Sequence, residues 1–129
     1  MRISEEQYRQ FLGKKALKYH NNKVQYNGIT FDSIKEKNRY LLLKVLEEEG
    51  KISELKLQKK FLLQEGFIHE GKKERPIYYI ADFFYYSNEL KRYIAEDVKS
   101  EATRADKVYR LKKKMFEYKY PNIAFKEVL

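Results

Sequence analysis

The chain is expected to fold as a mixed α/β (α+β) domain, one β-sheet flanked by helices, with an N-terminal helix and a hairpin before it. Three observations predict this. Segments of helical and strand periodicity follow one another in the order helix, hairpin, helix, three strands, helix, strand. Asn27-Gly28 separates two short runs, and that pair accepts the positive φ angles of a type I′ turn. Many of the 12 Tyr and 8 Phe crowd strand segments, Tyr78 to Tyr86 above all, where large rings pack on the pleated surface.

Taken in order, residues 4–13 read as a short amphipathic helix with Ser4 as N-cap, Gln7 three residues on, and Tyr8, Phe11 and Leu12 on one side. Lys14 to Lys23, with Asn21-Asn22, is a basic link. Residues 1–23 thus precede a core of 24–129, all in one domain. Lys23 to Tyr26 and Ile29 to Phe31 are the arms of the hairpin. A long helix from about Ile34 to Glu49 is stopped by Gly50, with Ile34, Asn38, Leu41, Leu42, Val45 and Leu46 toward the sheet. Residues 54–64 alternate through Leu55, Leu57, Phe61 and Leu63 and predict a strand. Gly66 to Arg75 is a charged loop or hairpin tip, Pro76 opens a strand through Tyr86, and Arg92 to Lys99 is the next. Thr103 to Tyr118 is a basic helix with Val108, Leu111 and Met115 inward, and Ile123 to Val128 is the last strand.

Composition narrows the function classes. With 129 residues there is room for one domain. The 28 Lys and Arg against 19 Asp and Glu leave a charge of +9, which favours polyanions, nucleic acid first and anionic membrane second. Membrane is the weaker choice, since no apolar run approaches the ~20 residues a spanning helix needs. The amino terminus also has no signal-peptide apolar core. Absence of cysteine excludes disulfides and thiolate metal sites and permits a cytoplasmic home. A hydrophobic content of 43% supports a packed core, so this is no disordered basic tail. A few exposed tyrosines could stack on unpaired bases, although burial is the ordinary fate of aromatic area.

Two acids and a lysine stand inside strand segments, and there they need a reason. Side chains two apart on a strand share a face, so Asp97 and Lys99 sit together while Ile94, Glu96 and Val98 take the other side. Asp82 comes from the preceding strand, an antiparallel neighbour across the short connection Ser87-Asn88-Glu89. Such a group suits metal-assisted phosphodiester hydrolysis. Two carboxylates hold a hard cation such as Mg²⁺, and an ammonium orients the attacking water or offsets developing charge.

Asp82, Asp97-x-Lys99 and Glu36 on the upstream helix resemble the PD-(D/E)XK nuclease superfamily, which has the restriction-endonuclease-like fold. The order Gly28-Ile-Thr-Phe-Asp-Ser33, Glu36, Leu55-x-x-Gln58, Tyr79-x-Ala-Asp82-Phe83-x-Tyr85, Glu96-Asp-Val-Lys99 and Thr103 is similar to a small phage and prophage family of that superfamily, domain of unknown function 1064. The resemblance covers roughly residues 24–128. Ala81 stands where the superfamily's name has Pro, and Ser100 where a Gly is expected. It implies that Asp82 and Asp97 bind Mg²⁺ (Mn²⁺ as substitute), that Glu36 assists, and that Lys99 acts on the attacking water. It also makes Gln58 a further site candidate.

Each residue has a second reading. Ser33-x-x-Glu36 is also a capping box, in which the glutamate serves the helix end, and Tyr40 and Leu43, one and two turns on, mark the Glu36 face as covered. Asp97 and Lys99 could form a surface ion pair, Asp82 could pair with a lysine, and Glu96 could replace Asp97 if the strand twists or bulges. Thr103 doubles as N-cap of the basic helix, where free amides and Arg104, Lys107 and Arg110 could meet a phosphate. Lys112, Lys113 and Lys114 belong to a solvated or DNA-facing rim, and His20 and His69 lack ligand partners at useful spacing. The expectation is a Mg²⁺-dependent DNA endonuclease acting in the host cytoplasm, on branched recombination intermediates, forks or packaged DNA. Cutting both strands would take a homodimer or two encounters. The other class is a DNA-binding accessory protein without catalysis, in a recombination or packaging complex. No membrane partner is expected.

Overall fold

The computed structural model describes residues 23–129, so the expected helix at 4–13, its basic link and His20 lie outside the described residues. The described residues divide into two compact units, with the boundary between Lys37 and Asn38. The first contains the hairpin β1 (Val24–Tyr26) and β2 (Ile29–Phe31). Asn27 and Gly28 have φ of 50° and 77°, the pair of positive angles that a type I′ turn requires.

Helix α1 (Ile34–Glu48) begins where the Ser33 hydroxyl accepts the Glu36 amide at 3.1 Å. It ends in a Schellman turn. Gly50 takes φ 75°, its amide donates to Glu47 O, and the Lys51 amide donates to Leu46 O at 2.9 Å. The face of Tyr40 and Leu43 is covered as expected, Leu43 being enclosed and Tyr40 stacked on Phe83, whereas Ile34, Leu42 and Val45, expected toward the sheet, are exposed. An aromatic contact and an ion pair from Arg39, described below, set the rotation of the helix, and aliphatic spacing does not.

The second unit is built on a four-stranded mixed sheet in the order β3-β6-β7-β8. Its strands are β3 (Ile52–Gln64), β6 (Ile77–Ser87), β7 (Arg92–Val98) and β8 (Ala124–Val128), antiparallel except that β8 runs parallel to β7. The stretch read as a loop or hairpin tip is a hairpin, β4 (Phe67–His69) and β5 (Lys72–Glu74). This is an α+β fold.

The single basic helix expected at 103–118 is two helices, α2 (Glu101–Arg104) and α3 (Lys107–Lys119). Asp106 causes the break, because its carboxylate accepts the Tyr109 amide at 2.9 Å and so caps a new helix. Thr103 is therefore not an N-cap. It is the third residue of a capping box whose cap is Ser100. The break also rotates α3, so that Tyr109 and Phe116 are buried and Val108 and Leu111 are exposed.

Phe116 packs edge-on against Phe61 at 4.9 Å and lies 5.1 Å from Tyr79, in a core shared with Ala81, Phe84 and Ala95. Truncating this fully buried ring, Phe116→Ala, is expected to cost about 3–5 kcal/mol. Urea unfolding should show this as a lower midpoint at unchanged slope; a loss well under 1 kcal/mol would mean that α3 does not close this core.

Candidate active site

The alternation of β6 slips by one residue at its middle. Tyr79 and Ala81 lie in the α3-side core with Phe84, while Phe83 stacks on Tyr40 of α1 on the other face. Asp82 stands at the slip. The ladder between β6 and β7 runs from Ser87–Arg92 to Phe83–Glu96 and stops there. Where the next rung would form, Asp82 Oδ2 takes the Val98 amide at 2.9 Å, so a carboxylate replaces a backbone carbonyl. Beyond this fork β6 stays with β3, and β7 stays with β8 through Val98–Val128 and the Lys99 amide on Val128 O at 2.8 Å. Across from Asp82, Gln58 has φ 52°, the left-handed region that non-glycine residues enter only at a cost. Its Nε2 donates to Asp82 Oδ1 at 3.5 Å.

The fork brings the expected residues together. Asp97, only 2% exposed, accepts a hydrogen bond from the Tyr79 hydroxyl, and its Oδ2 lies 3.9 Å from Lys99 Nζ. The Asp97 carboxyl is pushed up to about 7, first by burial and then by the charge of Asp82, with which it also shares a hydrogen bond. Two acids therefore crowd one place, and one ammonium faces them. Tyr79, raised by burial and by Asp97, is a neutral donor.

Tyr79 and Tyr109 belong to this site and were not read from the sequence as parts of it. Strict alternation puts Tyr79 on the face opposite Asp82, and only the slip reverses that. Tyr109 lies under the Lys99 ammonium, 4.4 Å from Nζ to ring centroid. Its hydroxyl donates to Glu127 Oε2 at 2.8 Å. Glu127 in turn takes Lys113 Nζ at 3.3 Å and Arg104 at 3.8 Å. Partial burial pushes the Glu127 carboxyl up, but the hydrogen bonds from Tyr109 and Lys113 outweigh it and hold the group below its usual range. Arg104 and Arg110 line a cleft on this side with Lys113, and Lys107 is exposed at the start of α3.

Glu96 is on the other face. Its carboxylate, 0% exposed, is gripped by Arg39 Nε and Nη2 at 2.6 and 2.7 Å and by the Tyr85 hydroxyl. The carboxylate is turned away from Asp82, toward Arg39 and Tyr85, so Glu96 does not replace Asp97. Glu36 is buried in the first unit, and its backbone amide donates to the Ser33 hydroxyl at 3.1 Å, so that Ser33 is the cap. Among the described residues no three acids or histidines converge as a metal-holding group. His69 is exposed on β4.

Fold and site together define an α+β protein with a paired-carboxylate site at a strand fork, flanked by an ammonium and a basic cleft. Residues 16–129 match the family model described as protein of unknown function (DUF1064), and the chain belongs to that family. No curated protein and no solved structure matches it. Among the described residues no helix is long and apolar enough to cross a membrane.

Proposed function

We propose that the chain is a divalent-cation-dependent endodeoxyribonuclease of the PD-(D/E)XK superfamily, of phage or prophage origin, acting on DNA in the host cytoplasm. The observation that carries this reading is the convergence of Asp82, Asp97 and Lys99 where β6 and β7 part. The donor set fits Mg²⁺, with Mn²⁺ as substitute, because that ion takes one or two carboxylates from a protein and its other ligands from water and phosphate. The crowding that raises Asp97 is what a cation relieves. When bound, the ion polarises the scissile phosphate and makes the attacking water more acidic.

The rest of the work falls to the chain. The Val98 amide and Gln58 fix the Asp82 oxygens, and Tyr79 fixes Asp97, so neither carboxylate has to reorganise during the reaction. Lys99, resting on Tyr109, is placed to orient the water and to offset charge gathering on the phosphate oxygens. Attack of the water oxygen on phosphorus expels the 3′-oxygen, which takes up a proton, leaving 3′-hydroxyl and 5′-phosphate ends. Arg104, Lys107 and Arg110 are proposed to hold the backbone of the bound DNA beside the fork.

Cleavage of linear, nicked, forked and four-way DNA should require Mg²⁺ and cease with chelator. Lys99→Ala should lower the rate by about 100-fold or more with DNA binding retained, since one preorganised charge at a reacting centre contributes on that order. Protein that binds DNA and cuts none of these substrates would instead be a DNA-binding accessory factor, and a Lys99→Ala variant as fast as its parent would refute the mechanism.

A further inference from the structure

We infer that the half of β6 leading up to Asp82 is a track for an unpaired DNA strand, with bases resting on Tyr78 and Ile80 and a phosphate on Lys60. This rests on the nuclease reading and deepens it, for it names the substrate as DNA with a single-stranded segment beside the scissile bond.

Residues 77–81 are paired to β3 alone, because β7 leaves at the Phe83–Glu96 rung. Of their side chains, Tyr79 and Ala81 enter the core, while Tyr78 stays 38% and Ile80 44% exposed. Leu62 and Lys60 of β3 stand directly opposite them, and the Lys60 ammonium lies 5.7 Å from the Tyr78 ring centroid. Along β3 the row Leu62, Lys60 leads to Gln58, and through the Gln58 amide the patch reaches Asp82. Outward, the strands continue into the β4–β5 hairpin, whose Phe67 and Ile68 are also exposed.

Chemistry selects the occupant. A duplex keeps its bases stacked on one another and offers a sheet its phosphates, for which cations alone suffice. An open ring and an aliphatic side chain next to a lysine match a nucleotide whose base is free, its face on the apolar surface and its phosphate on the ammonium. The charge of +9 supplies the complementary field. Strand rise places Tyr78 about 13 Å from Asp82 along β6, room for about two nucleotides of extended strand.

The chain contains no Trp, so Tyr78→Trp introduces a sole indole on the track. Titrated in chelator, where nothing is cut, its emission should be quenched saturably by an oligothymidine strand and little changed by a blunt duplex. Lys60→Ala combined with Tyr78→Ser, both at exposed positions, should weaken oligothymidine binding by about tenfold or more in fluorescence anisotropy and leave duplex binding nearly unaltered. An indole that stays silent while anisotropy saturates, or a double variant that binds oligothymidine like its parent, overturns the inference. So does a concentration-dependent dimer that the double variant abolishes, which would give the patch to a second copy. Parent protein that cleaves DNA while the indole of the Tyr78→Trp variant stays silent fails the track alone; a quenched indole in that variant together with parent protein that never cleaves fails the nuclease reading and supports the track.

Discussion

Replacing Asp97 by Asn should make the chain more stable near neutral pH and, on the proposed nuclease reading, remove most of the DNA cleavage. The carboxyl of Asp97 is pushed up to about 7 by burial and by Asp82, against an ordinary value of 3.8. Between those values the folded chain binds more protons than the unfolded one, so stability falls as pH climbs through the window. Above about 7 the loss is complete, and below about 4 both states carry the proton and nothing is lost. The substituted amide would keep the shape, still accept the Tyr79 hydroxyl, and remove the charge. The gain of Asp97→Asn over its parent should thus be near zero at about pH 4 and grow to on the order of 1–3 kcal/mol at about pH 8. Urea melts at several pH values measure it, and a parent that is the more stable at pH 8 would contradict it. On the proposed nuclease reading cleavage should fall by about 100-fold or more, because that reading assigns the same charge to holding the cation.

How much of this could be read beforehand depends on which interactions decide each element. The Asn27-Gly28 hairpin, the end of α1 at Gly50 and the strands of the sheet follow from local rules, and the structure has them where alternation and turn residues put them. The pairing of Asp97 with Lys99 was legible for the same reason, being a matter of two-residue spacing. Tyr79 was not, because its place beside Asp97 depends on a slip in β6 that no local pattern announces. Part of the face of α1 was misread because Arg39 and Tyr40 answer to Glu96 and Phe83, residues over 40 positions away. The break at Asp106 was, by contrast, visible in principle. A cap-forming residue inside a helical run offers the chain a second start, and the apolar spacing of Val108, Leu111 and Met115 hid it.

Removing Arg39 should be the most damaging single change on the α1 side of the sheet. Glu96 is fully buried, and two of its partners' hydrogen bonds come from one guanidinium, whose own affinity for its proton those bonds raise. Arg39→Ala strands a carboxylate that only the Tyr85 hydroxyl still contacts, at an expected cost of about 3–5 kcal/mol. Glu96→Gln should cost less, since the one amide oxygen, in the place of Oε2, still accepts from Arg39 Nη2 and the Tyr85 hydroxyl, and the Arg39 side chain, 15% exposed, can reach water. In the double variant Arg39→Met with Glu96→Leu no charge is left buried, so the two losses should not add, and a coupling of about 2 kcal/mol or more is expected from the complete cycle. Additive losses would mean that the pair contributes nothing beyond its parts. The same variants separate structure from chemistry at neighbouring positions of β7. On the proposed nuclease reading Glu96→Gln should still cut DNA, because this side chain faces Arg39 and Tyr85 away from the fork, whereas Asp97→Asn should not. A Glu96→Gln protein that folds and is as inactive as Asp97→Asn would move the site to the other face of the strand.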